Sequence, residues 1–377
     1  MINFDKYATT RTSKEIWNLM EQYATEDYGN PSALYPFAEK SRKAINDAKE
    51  VLASLIHCNP NEIYFVPSGS VADNWIIRSF CRSGSTGITS DIEHHAVLNA
   101  FQASKDQYGT RVIQLPVDIN GLVDVNKLKE HIDIANLVSI MYVNNELGCI
   151  QDIDQIGHIC RKANVPFHTD AVQAFGKLPI NVDTECIDFM SCVGHKFHGP
   201  QGIGFLYIRD KYKDSMKPLV YGGSQQRGMI AGTEYISGIV GLATAAERAY
   251  RNLEANNKHI HEIHWSLRSQ LKLALPQITF NNSSKTCLES CINVCFENYK
   301  ISGEQLLAFL AQYDICVSSG SACTSQSHEP SHVLRAIGLN DEAANASLRF
   351  TFDEENTVEE VETVVKVLTE GVNMIGG

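Results

Sequence analysis

The stretch Ile187-Asp188-Phe189-Met190-Ser191-Cys192-Val193-Gly194-His195-Lys196-Phe197-His198-Gly199-Pro200 runs from an apolar, strand-like segment into a turn carrying a lysine, and Ile203-Gly204-Phe205-Leu206-Tyr207-Ile208 supplies a second strand after it. A lysine held between strands in this way is a candidate amine nucleophile. Upstream, His168-Thr169-Asp170-Ala171-Val172-Gln173 closes another strand-like stretch with an acid and an amide. Those are the partners a pyridine cofactor needs at its ring nitrogen and its phenolic oxygen. Together these residues read as a site for pyridoxal 5'-phosphate (PLP).

Further strand-like runs, Glu62-Ile63-Tyr64-Phe65-Val66, Arg111-Val112-Ile113-Gln114-Leu115 and Leu137-Val138-Ser139-Ile140-Met141-Tyr142-Val143, alternate with amphipathic patterns such as 38–56, where Ile45, Ala48, Leu52 and Leu55 share a face. This rhythm predicts an α/β fold with a parallel, doubly wound sheet, whose ligands gather at the carboxyl ends of the strands. After Leu253 a polar helical stretch rich in Asn, His and Glu precedes strand-like Cys291-Ile292-Asn293-Val294-Cys295-Phe296, a helix near 304–312 and an amphipathic helix over 357–375. That reads as a smaller α+β domain. The expected division is 14–253 for the large domain and 1–13 with 254–377 for the small one. With no internal repeat and no low-complexity linker, the two should share an interface.

The 377 residues suffice for two domains of ordinary size, and 44% hydrophobic with 20% charged is a globular balance. No apolar run is long enough to span a bilayer, and the start lacks the charged-then-apolar pattern of a secretion signal, so a cytoplasmic protein is expected. The 11 cysteines then read as reduced thiols. A net charge of −12 argues against direct adhesion to nucleic acid or anionic membrane and leaves proteins or small molecules as partners.

Other signals lie where strands end. Pro67-Ser68-Gly69-Ser70-Val71-Ala72-Asp73-Asn74 opens a helix whose backbone amides could cradle a phosphate, although turns of small residues are mostly plain connections. Glu93-His94-His95 offers an imidazole to stack on an aromatic ring, and Asn144-Asn145-Glu146-Leu147-Gly148 offers amides to a carboxylate or ring oxygen. In Val317-Ser318-Ser319-Gly320-Ser321-Ala322-Cys323-Thr324-Ser325 a cysteine stands among small polar residues, which suits an accessible nucleophile that visits a buried site. An incidental cysteine in a surface loop fits that stretch equally. Cys287, Cys291 and Cys295 read as packed thiols rather than a metal site, and His259, His261 and His264 read as a solvated helix face; no metal site is expected.

From Asp5-Lys6-Tyr7-Ala8-Thr9-Thr10 and Gly29-Asn30-Pro31-Ser32, through Val143-Asn144-Asn145-Glu146-Leu147-Gly148, Gly194-His195-Lys196 and the Cys323 loop, to Glu329-Pro330-Ser331-His332-Val333-Leu334-Arg335-Ala336, the chain resembles the cysteine desulfurases of the nitrogen-fixation and iron–sulfur-cluster type. The resemblance covers nearly the whole chain. It implies the PLP-dependent transferase fold type I, with a large domain built on a mostly parallel seven-stranded sheet. It also implies that Lys196 forms the imine to PLP, that Asp170 pairs with the ring nitrogen, that Gln173 bonds the phenolic oxygen and that His94 stacks on the ring. Ser70, the position of Val71, His195 and Thr233 would face the phosphate, Thr233 reaching the neighbouring subunit of a homodimer. Arg349, with Asn145, would hold the substrate carboxylate. Cys323 would take sulfur from L-cysteine as a persulfide for a sulfur-acceptor protein, leaving alanine. An iron–sulfur scaffold, a tRNA-thiolation protein and a DNA-phosphorothioation component are all open as acceptors. The alternatives are a related PLP lyase or aminotransferase acting on another amino acid, and a non-catalytic platform of the same fold.

The chain departs from that family pattern at several places. Ser70-Val71 replace an alanine and a phosphate-binding threonine, and Val193 replaces a phosphate-binding serine. Ile230-Ala231 stand before Gly232-Thr233 in place of Arg-Ser, and Asp353-Glu354 in place of Gly-Arg. The expected consequence is a weakened grip on the phosphate.

Overall fold

The computed structural model describes residues 1–319 and 329–376. After a short β1 (Ile2–Asn3) the chain forms β2 (Ile63–Val66), β3 (Thr86–Ser90), β4 (Arg111–Leu115), β5 (Leu137–Ser139), β6 (Phe167–Asp170), β7 (Phe189–Val193) and β8 (Gly204–Ile208). These last seven make one sheet in the order β2-β8-β7-β6-β5-β3-β4. Strand β8 runs antiparallel to both neighbours, and every other pairing is parallel.

The alternation of side chains explains why the sheet is covered twice. Ile63 and Phe65 of β2, with Phe205 and Tyr207 of β8, join the core under helices Lys14–Thr25, Glu39–Ile56 and Ile236–Arg251. Tyr64 and Val66, with Leu206 and Ile208, point the other way into a second cluster under Gly69–Phe80 and His95–Tyr108. Two strands sit differently from the sequence expectation. Strand β7 runs on to Val193, so that Lys196 leaves its carboxyl end through a single 3-10 turn, Gly194–Lys196. Beyond Ser139 the chain leaves regular pairing, and Val143 makes only an isolated bridge to Ile150.

A second, antiparallel sheet has the order β12 (Ser318–Ser319), β13 (Ser347–Thr351), β10 (Cys291–Cys295), β9 (Thr279–Phe280). It packs with helices Leu253–Ala274, Gly303–Ala311 and Val358–Ile375 around Ile263, Leu267, Leu271, Val361, Val364 and Leu368. Thr357 and Glu360 start the last of these helices with a capping box. Strand β11 (Ile315–Cys316) pairs in parallel with β1, which draws residues 2–3 into this half. Of the expected solvated histidine face only His261 is exposed. His264 is 1% exposed, with Nδ1 2.7 Å from the Glu289 carbonyl, and His259 Nε2 lies 2.7 Å from the Asn356 carbonyl. Position 264 rides inward with the stripe Ile260, Ile263, Leu267 and Leu271. Cys287, Cys291 and Cys295 are buried free thiols.

Candidate active site

A cavity of about 420 Å³ opens at the carboxyl ends of β2, β3, β5, β6 and β7 and is closed by Arg349 of β13 and by Asp5, Tyr7 and Ala8. It brings together Lys196, Asp170, Gln173, His94, His195, Asn145, Ser70 and Arg349. The Lys196 ammonium donates to the carbonyls of Tyr7 (2.5 Å) and Ala8 (2.8 Å), and Gln173 Nε2 donates to the same Tyr7 carbonyl (3.1 Å). The segment around Tyr7 is therefore part of the site, although nothing in its side-chain pattern announced that.

Asp170 ends β6, and its Oδ1 accepts the Val172 N–H at 2.9 Å. Burial raises it, the nearby Lys196 only partly opposing. Asp73, also buried and lining the cavity, is pushed up by burial and then by the charge of Asp170. Two enclosed carboxyls of this kind resist ionising together, so the proton stays with Asp73 and a cation favours charge on Asp170. A cationic ring nitrogen is such a partner for Asp170, with Asp73 left neutral.

His94 caps helix His95–Tyr108, its Nδ1 accepting the Ala96 N–H at 3.1 Å. Burial, then His95 and Lys196, lower it to about 4, so it presents a neutral ring to the cavity. Arg349 is held by the Asn145 carbonyl (2.6 Å) and Asp5 Oδ1 (2.7 Å). Its Nε and the Asn145 Oδ1 are buried with no hydrogen-bond partner among the described residues. An unpaired donor of this charge fits a ligand carboxylate.

The opposite end is less polar. Ser68 caps helix Gly69–Phe80 through the Val71 N–H (3.3 Å), and Ser70 and His195 line the wall there together with the side chain of Val193. Burial and the charges of Lys196 and Lys177 lower His195 to about 4, so it adds no positive charge. Val71 does not line the cavity; its side chain packs on the cluster containing Tyr64 and Trp75, as a β-branched apolar residue would. Thr233 lies in a separate pocket with Pro67, Gln226 and Gly232. The residues fit PLP fully at the ring and substrate end, and at the phosphate end through a helix N-terminus, Ser70 and His195. Cys323 lies outside the described residues.

Where Asp353-Glu354 stand, His198 Nε2 lies 3.1 Å from Asp353 and 3.5 Å from Glu354, and its Nδ1 lies 3.0 Å from the Arg11 carbonyl. Lys6 pairs with Asp353 and Glu355, each at 3.0 Å. Burial pulls His198 down, but bonds to the two carboxylates outweigh it and push it up to about 10. The cluster ties the turn after Lys196 to the segment after β13.

The class-V aminotransferase model matches residues 2–364. The chain belongs to that family. It is 41% identical over 372 residues to cysteine desulfurase IscS of Clostridium botulinum, covering 97% of this chain and 93% of the relative. Its fold matches the solved structure of a NifS-like protein with a TM-score of 0.91 and 32% identity, over 99% of this chain and 100% of the other. It also matches SspA in complex with cysteine, with a TM-score of 0.80 and 33% identity, over 93% and 99% of the two chains. At this similarity the chain is an enzyme of the cysteine desulfurase type. Among the described residues no helix is long and apolar enough to cross a membrane.

Proposed function

We propose that this enzyme holds PLP on Lys196 and moves sulfur from L-cysteine to Cys323, and from there to an acceptor protein. The observation that carries this reading is the unpaired Nε of Arg349 beside Asn145, in one cavity with Lys196, Asp170, Gln173 and His94. When bound, PLP withdraws electrons from the substrate carbon through its ring. Arg349 and Asn145 would orient the substrate by its carboxylate, Asp170 would hold a proton at the ring nitrogen, Gln173 would donate to the ring oxygen and His94 would cover the ring. The Lys196 amine carries protons to and from the substrate carbon. The Cys323 thiolate attacks the substrate sulfur and the carbon–sulfur bond breaks. Sulfur stays on Cys323 as a persulfide, and the protonated carbon skeleton leaves as alanine.

The ends of the cysteine loop support delivery to this cavity. Ser318 pairs with Arg349 across β12 and β13, and Ser331 donates to Glu146 Oε2 at 2.6 Å, one residue from Asn145. The loop thus departs and returns at the substrate end. The same proposal includes a cytoplasmic homodimer in which Thr233 reaches the partner's phosphate, and the domain division 14–253 against 1–13 with 254–377, which is supported by the core around Ile263, Leu267 and Val364, drawn only from residues 4 and 260–372. Substituting Cys323→Ser should leave PLP and cysteine binding intact and abolish sulfide release, with mass spectrometry placing the extra sulfur of the wild type on Cys323. Sulfur found instead on the exposed Cys316, or sulfide release undiminished in the variant, would refute the assignment.

A further inference from the structure

A glutamine opposite a cofactor's ring oxygen must present its NH2 group, yet its amide can turn either end outward. The Tyr7 carbonyl can only accept, so it draws Nε2 at 3.1 Å and leaves Oε1 to be held by a second donor. The other end is fixed by Lys177, whose Nζ donates to Gln173 Oε1 at 2.8 Å. The ammonium can only donate, so it holds Oε1 and keeps Nε2 turned toward Tyr7 and the cavity.

The local chain is built for that contact. Residues 171–178 form a tight turn, with Ala174 N–H on the Ala171 carbonyl and Lys177 N–H on the Ala174 carbonyl, both at 3.0 Å. Gly176 takes φ +80°, and a Cβ there would meet the Phe197 Cβ at 3.0 Å, so the reversal requires glycine. The turn brings Lys177 back over Gln173 and places its Nζ 4.0 Å from the centre of the Tyr7 ring. Tyr7 is itself held, its hydroxyl 2.9 Å from Ser290 Oγ and its N–H on Thr351 Oγ1 at 3.0 Å.

We propose that Lys177 is a positioning residue: through Gln173 it aims the amide donor at the ring oxygen of PLP, and it rests on the cofactor reading above. The cation is unusual for its place. Burial and then the charge of Lys196 lower it to about 7, with Arg349 adding to the lowering and Asp353 and Cys291 opposing it. Such a group is kept at a cost in solvation, and the cation–π contact offsets only part of that cost. Its return is the orientation of one amide.

The test is reconstitution of the cofactor-free full-length protein with PLP, followed by absorbance. Lys177→Met, close in length and without a donor, should fold with an unchanged melting temperature. It should bind PLP about tenfold more weakly, the scale of one lost hydrogen bond to a charged group, and shift the visible maximum, which reports the charge on the ring oxygen. In a Gln173→Ala background the same substitution should add no further loss, because the amide it orients is gone. PLP affinity and maximum unchanged in Lys177→Met, or the same loss persisting without Gln173, would overturn the inference while leaving the cofactor reading intact. A wild type with no visible band that Lys196→Ala abolishes would overturn both.

Discussion

The two ends of the cavity have been treated differently. At the ring and substrate end, each charge or donor has a matched place: Asp170 beside Asp73, Gln173 between Tyr7 and Lys177, Arg349 between Asp5 and Asn145. At the end proposed for the phosphate Val193 stands in the wall and the half-buried Val71 packs outside the cavity, leaving a helix terminus, one hydroxyl and a neutral imidazole. Groups that touch the bonds being broken cannot be exchanged without losing the reaction. Groups that only anchor are partly interchangeable, since backbone amides can replace hydroxyls.

The sharpest way to break this contrast is at Arg349. Arg349→Ala should lower kcat/KM for cysteine by roughly 1,000-fold, because a bidentate charged pair is lost and Asp5 is left uncompensated, while PLP affinity stays near wild type. An equal loss of PLP affinity would mean that the two ends are not separable. At the junction between the sheets, His198→Gln should cost about 2 kcal/mol of stability at pH 6. Because the folded-state value of His198 lies near 10, above its ordinary 6.5, its contribution is complete below about 6.5 and fades as pH rises through 10. Melting temperatures of wild type and variant should therefore converge in alkaline solution, and a constant gap would show that the ion pairs with Asp353 and Glu354 contribute nothing. The smallest expected effect is at the phosphate. Val193→Ser should tighten PLP about tenfold by adding a hydroxyl to the wall, whereas Val71→Thr should not, since that side chain faces Tyr64 and Trp75. Equilibrium dialysis against PLP distinguishes the two, and a gain from Val71→Thr alone would show that the helix turn can rotate.

Much of this was readable from local pattern. Short apolar runs marked β2 and β4 to within a residue, and the residue types at strand ends pointed to Lys196, Asp170 and Gln173 before any fold was known. What could not be read locally was contact between distant segments. Tyr7 acts through its backbone carbonyl, which no side-chain motif records, and Asp5 matters only because Arg349 lies across from it. Lys177 carries no motif of its own and reaches Gln173 only because Gly176 folds the chain back. Asp73 sat in a stretch read for phosphate binding, yet its helix register places it beside Asp170. His264 was misjudged because burial of a helical position depends on its whole stripe, which a polar neighbourhood in the sequence does not override.

The strand-like segment at residues 4–7 also has a temporal meaning. Thr351 N–H bonds the Phe4 carbonyl at 2.7 Å, Lys6 N–H bonds the Thr351 carbonyl at 3.2 Å, and Tyr7 N–H bonds the Thr351 side chain. The carbonyl that holds Lys196 is thus seated by a residue synthesised more than three hundred positions later. In chain order β6 and β7, which carry Asp170 and lead to Lys196, precede β11 and β13, the strands that seat residues 2–7. A chain that stops short of β13 has the lysine but lacks Arg349 and the strand that seats Tyr7, so the cavity needs both ends of the sequence to close.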